Sequence, residues 1–157
     1  MILCKDSHAQ IEKFLREHFS DESLRLPAVK FHRSKSIDVC LKFFKVAGLT
    51  LGMRVFIKRE FFAREADGRW TLPGWLVVHE AAHVLQFARF GNVRFAFAYI
   101  GEYAAQMRRR REQVHRAERH AASYRAISFE VEAYAIEAAY RRRFADARLS
   151  LIRARWF

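Results

Sequence analysis

Read for apolar and polar positions alone, the chain shifts period more than once. Ile11, Phe14, Leu15, His18 and Phe19 recur at helical spacing, with Glu12, Lys13, Arg16 and Glu17 on the other side. That predicts a short amphipathic helix, which Ser7 can cap and which breaks before Pro27. From Ile37 the period becomes two: Ile37, Val39, Leu41 and Phe43 alternate with Asp38, Cys40 and Lys42, the pattern of a half-buried strand. A second alternation sets Leu49, Leu51, Met53, Val55 and Ile57 against Thr50, Gly52, Arg54, Phe56 and Lys58, with Ala47 and Gly48 as the turn between two strands of a hairpin. Residues 59 to 72, with Asp67-Gly68 and mixed charge, read as a loop or an irregular hairpin. Trp75 to Phe90 then runs without a breaker and is apolar on nearly every side, opened by Thr71 and Pro73-Gly74 and closed by Gly91. Such a helix has to be buried. After it come Phe95, Phe97, Tyr99 and Tyr103, read as core or groove-lining with core favoured, then a basic segment around Arg108–Arg111, His115, Arg116, Arg119 and His120, expected as a solvated helix. A last helical region is expected from about Tyr124 to the end.

Polar groups in a buried helix need partners, since leaving them unpaired costs several kcal/mol. The apolar helix contains His79-Glu80-Ala81-Ala82-His83, an H-E-x-x-H spacing. On a helix His79 and His83 lie one turn apart on one face, where both imidazoles can reach one zinc ion, and Glu80 stands beside the metal-bound water as a general base. The bland alternative is a pair of core histidines satisfied by backbone carbonyls. Lone histidines such as His8 and His18 on an amphipathic helix carry no comparable signal.

A catalytic zinc takes three protein ligands and leaves a fourth position to water. The extended pattern with a third histidine downstream would need Gly at position 86 and His at 89, where the chain has Gln86 and Arg89. His115 and His120 lie in the most cationic stretch, which opposes a divalent ion. Glu130 and Glu132 remain, set among apolar residues in Phe129-Glu130-Val131-Glu132-Ala133-Tyr134. The helical wheel does not separate them.

The combination of His79-Glu80-x-x-His83 with a distant Glu130-x-Glu-Ala-Tyr134 resembles the gluzincin peptidases, in which a glutamate on a later helix completes the site. Three segments also resemble a family of short bacterial zinc metallopeptidases encoded beside phage-tail-like extracellular contractile injection systems. They are Thr50-Leu-Gly52-Met-Arg-Val55-Phe56, His79-Glu80-Ala-Ala-His83-Val84-Leu-Gln86 and Phe129-Glu130-x-Glu132-Ala133, which together span roughly residues 49 to 137. The chain has Phe87 where that family often has a second Gln, and Tyr134 where related enzymes commonly carry Asp. The resemblance implies a minimal zincin-like fold and zinc held by His79, His83 and Glu130. It also implies Glu80 as catalytic base, with a peptide or protein as substrate. Tyr134, one turn after Glu130, is expected to hydrogen-bond a ligand, and Tyr124 is the candidate for stabilising the oxyanion.

Size and composition set the frame. At 157 residues and 52% hydrophobic content, the chain reads as a single domain, 1–157, of α+β class: a small sheet on the zinc helix, a glutamate helix behind it and a basic arm. The net charge of +12 comes mainly from arginine, and every lysine precedes His79. Arg108–Arg111 and Arg141–Arg143 are therefore candidate contacts for a polyanionic partner. That charge also defines the rival reading, a non-enzymatic basic binding module with a structural or vestigial zinc site. Cys4 and Cys40 form neither a disulfide framework nor a cysteine metal site. The first residues lack a signal-peptide pattern and no apolar run reaches membrane-spanning length, so the expected location is cytoplasmic as synthesised, with any export by another route.

Overall fold

A computed structural model describes residues 1–33, 35–44, 46–112, 115–144 and 151–155. The elements in chain order are β1 (Ile2–Leu3), α1 (Lys5–Phe19), β2 (Lys30–His32), α2 (Lys35–Phe44), β3 (Gly48–Leu51) and β4 (Arg54–Ile57). There follow β5 (Ala63–Arg64), β6 (Trp70–Pro73), α3 (Gly74–Phe90), α4 (Asn92–Arg109), α5 (Arg116–Arg125), α6 (Ser128–Arg143) and β7 (Leu151–Arg155). The class is α+β, as expected, but the sheet is larger than a hairpin. Its order is β3-β4-β2-β1-β7-β6-β5, with the β2–β4 pair parallel and the others antiparallel.

Three expectations fail in instructive ways. The stretch from Ile37 to Phe43 is the helix α2, not a strand: Val39 is 68% exposed while Leu41 is buried, whereas alternation would put both on one face. The same residues also satisfy the helical template, because Ile37, Cys40, Leu41 and Phe44 recur at i, i+3, i+4 and i+7. The alternation from Leu49 to Ile57 is not one strand but the hairpin β3–β4, reversed at Gly52-Met53, where Gly52 has φ +61°. This reversal inverts the first half of the pattern, so Thr50 is buried and Leu49 and Leu51 are exposed, while Val55 and Ile57 face the core. Finally, the chain after Tyr124 is not helical throughout. The basic segment breaks after Arg109, α5 ends at Arg125, and residues 151–155 form β7 between β1 and β6.

Ser7 does not cap α1 either. Its Oγ lies within the first turns and accepts a 3.0 Å hydrogen bond from the Arg153 N–H, tying α1 to β7. Residues 59–72 form a 3₁₀ turn over Arg59–Phe61 followed by the irregular β5–β6 hairpin, and β6 runs directly into α3.

The main core lies between the sheet and α1, α3 and α6. It includes Ile11, Leu15, Phe31, Val55, Ile57, Leu72, Val77, Ile136 and Ile152, all essentially inaccessible. A second cluster, Phe87, Phe95, Ile127 and Phe129, joins α3, α4 and α6. Phe95 is therefore core, while Phe97 is 75% exposed, so the aromatic stretch of α4 divides between the two expected roles. The α3–α6 pair is the most extensive helix packing among the described residues, and it brings residues 79–83 against residues 130–137. No described helix is long and apolar enough to cross a membrane.

Candidate metal centre

α3 is buried along most of its length, as its composition requires. His79 and His83 project from one face of it toward the first turns of α6 and are 7% and 6% exposed. From α6, Glu130 is 1% exposed and reaches both of them. Its Oε2 lies 3.5 Å from His79 Nε2, and its Oε1 lies 3.3 Å from His83 Nε2. One donor atom from each of the three side chains lies within 4.8 Å of the others, a group that could hold a metal ion. The donor set suits zinc. Tetrahedral bonds near 2.0–2.1 Å separate ligand atoms by about 3.3–3.4 Å, and the 3.5 Å between Glu130 Oε2 and His79 Nε2 is close to that. Glu130 Oε2 is also buried without a hydrogen-bond partner, the kind of costly orphan that a cation would satisfy.

The choice between the two glutamates, which helical periodicity leaves open, is made by α3–α6 packing. Glu132 points along α6 to Gln86, whose Nε2 donates to it at 2.6 Å and to the Phe129 carbonyl at 3.0 Å. Gln86 Oε1 in turn lies 2.8 Å from His83 Nδ1. His79 Nδ1 is held by Glu137 Oε2 at 3.1 Å, and the other oxygen of Glu137 accepts a 2.9 Å bond from Arg141. Both imidazoles thus turn Nε2 toward Glu130 and anchor Nδ1 on a partner that fixes ring orientation. Tyr134 does not fill that role. Its ring meets His79 edge-on at a centroid distance of 4.8 Å, and Glu137, one turn farther along α6, supplies the hydrogen bond.

Glu80 stands beside this group without joining it. It is 3% exposed; Thr50 donates to its Oε2 at 2.6 Å. Gly48 backs it so closely that a Cβ there would fall 2.3 Å from Glu80 Oε1, so a larger residue would displace the carboxylate. Two tyrosines complete the surroundings. Tyr99, from α4, donates to Glu130 Oε1 at 2.7 Å, while Tyr124, from α5, lines the cleft beside Glu80.

These contacts set the charges. Burial opposes protonation of His79, but the Glu130 and Glu137 carboxylates outweigh it and raise its pKa to about 10. His83 is likewise raised against burial by Glu130. Burial would lift the Glu130 carboxyl, yet the two imidazoles and the Tyr99 hydroxyl hold it below the ordinary carboxylate range. Glu80 moves the other way: burial raises it, and His83, His79 and Thr50 only partly offset that. Burial and the negative charge of Glu130 push both Tyr99 and Tyr124 above the usual phenol value, so both remain hydroxyl donors.

The cleft has two unlike ends. On the His79 side it is lined by Trp75, His120, Arg125, Tyr134 and Glu137. On the His83 side lies a larger cavity of about 430 Å³, walled by Leu41, Leu51, Phe87, Phe95 and Ile100. Glu80 and Tyr124 border both.

Of the residues named from the sequence, the structure brings His79, His83 and Glu130 together and sets Glu80 beside them; the roles of Glu137, Gln86, Thr50, Gly48 and Tyr99 were not anticipated. Only Glu137 left a trace, two turns after Glu130 in an apolar helix. Of the arginines read as a polyanion surface, Arg108, Arg109, Arg111 and Arg141–Arg143 are exposed. Arg141 also stacks over Trp75 at 4.2 Å, and Arg143 pairs with Glu17.

Compared with protein-family models, with curated proteins and with solved structures, the chain matches none.

Proposed function

We propose that the protein is a zinc metallopeptidase, a minimal zincin-like hydrolase of gluzincin type, akin to the short bacterial enzymes associated with contractile injection systems. The observation that carries this reading is the placement of Glu80. A structural metal site has no use for a second buried carboxylate that stays out of the donor group, is braced by Thr50 and Gly48, and borders both ends of an open cleft. A hydrolase needs that group as its base.

Zinc held by His79, His83 and Glu130 would supply a Lewis acid for the scissile carbonyl and lower the pKa of a water toward neutrality. Glu80 would be the base that takes a proton from the attacking water and passes it to the leaving amine; the raised pKa of its carboxyl favours holding that proton between the two steps. Tyr124, a hydroxyl donor that lines the cleft beside Glu80 and Glu130, is the candidate to donate to the developing oxyanion. β3 pairs only with β4, which leaves its outer edge open among the described residues. An extended peptide adds along that edge, with an apolar side chain in the cavity beside His83.

The test is turnover of a mixed peptide library, read by mass spectrometry, for wild type, Glu80→Gln and zinc-stripped protein. Glu80→Gln is expected to fold, keep its zinc and lose activity by about 10²- to 10⁴-fold. Cleavage that survives in Glu80→Gln would refute the mechanism. A basic binding module would show no turnover in any of the three.

A further inference from the structure

The two oxygens of Glu130 are not equivalent. Oε1 accepts the Tyr99 hydroxyl at 2.7 Å while lying 3.3 Å from His83 Nε2; Oε2, 3.5 Å from His79 Nε2, is buried and accepts no hydrogen bond. Tyr99 comes from α4, outside both elements that carry the donor group. Its ring is held independently of its hydroxyl, at 5.7 Å from Phe95 and stacked near Phe129 at 6.4 Å. The hydroxyl therefore has a fixed position, and the oxygen it caps is set by packing in the second aromatic cluster.

A carboxylate ligand in a small centre has two modes. Bound through one oxygen, it fills one position and, with two imidazoles, leaves a fourth for water; bound through both, it closes that position. A hydrogen bond to one oxygen withdraws that lone pair and biases the group toward the first mode. We propose that Tyr99 is a positioning residue that makes Glu130 a one-oxygen ligand through Oε2 and so keeps the open position of the centre open. This inference rests on the metal centre proposed above.

The experiment titrates Co²⁺, whose visible spectrum reports coordination number, and Zn²⁺ against a chromophoric chelator, into the metal-free full chain. Wild type, Tyr99→Phe and Tyr103→Phe are compared. Phenylalanine keeps the ring packing at position 99. Tyr103 is a matched control on α4, because its hydroxyl meets His120 Nδ1 at 2.7 Å rather than Glu130. Tyr99→Phe is expected to bind zinc about 10- to 100-fold more weakly and to lose intensity in the cobalt bands as coordination number rises, with Tyr103→Phe matching wild type. Wild-type affinity and spectrum in Tyr99→Phe would overturn the proposal, and so would equal losses in both variants, which would mark a packing effect of α4. Wild type that binds neither ion would instead remove the metal centre itself and this inference with it.

Discussion

The hydroxyl of Thr50, on the outermost strand of the sheet, donates a 2.6 Å hydrogen bond to Glu80 Oε2 on α3. With Gly48 pressed against the other oxygen, the β3 strand fixes the carboxylate from two sides without touching the metal donors. Base and donor group can therefore be perturbed separately. Thr50→Val, and more so Gly48→Ala, is expected to displace the carboxylate and lower peptide turnover by about 10- to 100-fold while zinc content per chain stays the same. Parallel metal analysis and kinetics check this; zinc lost along with activity would show that β3 supports the whole centre.

Metal analysis of single variants tests the assignment of donors. Purified wild type is expected to carry about one zinc per chain, and His79→Ala, His83→Ala and Glu130→Ala to carry almost none. Glu132→Ala, which removes only a partner of Gln86, is expected to keep its zinc with an affinity lower by about tenfold or more. Zinc retained in Glu130→Ala and lost in Glu132→Ala would reverse the two roles.

The metal-free centre holds charge that the metal must displace. With His79 raised to about 10 by Glu130 and Glu137, its imidazole carries a proton at pH 8, whereas a metal ligand must be neutral. Zinc binding at pH 8 is then expected to release about one proton or more, read from calorimetry in buffers of different ionisation enthalpy. The same shift bears on folding. The folded pKa of His79 lies above its unfolded value, so its ion pairs stabilise the metal-free protein fully below about pH 6.5 and progressively less up to about pH 10. Glu130 has the opposite sign: its contribution is present above the ordinary carboxylate range and fades in acid. A melting temperature in chelator that falls from pH 6 to pH 9, with a weaker fall in His79→Gln, is the expected result.

β7 offers a test of the fold. Ile152 is fully buried and opposite Leu72 of β6, the strand that leads into α3. Ile152→Ala is expected to destabilise by about 2–5 kcal/mol. A denaturant midpoint unchanged from wild type would show that the strand contributes little.

What could be read from the sequence follows from how local each feature is. His79, Glu80 and His83 lie within one helix, and the unbroken apolar run from Trp75 to Phe90 is enough to bury it. Glu130 differs from Glu132 only through the packing of α6 on α3, which no periodicity within α6 encodes; the resemblance to gluzincins, not the wheel, pointed to the first of them. α2 was misread because Ile37, Leu41 and their neighbours satisfy both a two-residue and a helical period, and only the exposure of Val39 separates these. β7 left no usable signal, since five residues after an arginine-rich helix become a strand by pairing with β1 and β6. Thr50 and Gly48 looked like ordinary strand and turn residues because their roles are defined by a side chain from another element.

The position of β7 also bears on when the centre takes shape. Among the described residues, β7 alone joins the β3-β4-β2-β1 block to the β6-β5 hairpin, and in it Ile2 pairs with Arg155, across nearly the whole chain. A chain emerging from the ribosome amino end first can fold the β3–β4 hairpin and helix α3 early, but β6, which leads into α3, joins the rest of the sheet only when β7 arrives. Closing so long a loop is entropically unfavourable and slow. His79, Glu80 and His83 thus leave the tunnel well before the sheet that carries α3 is complete.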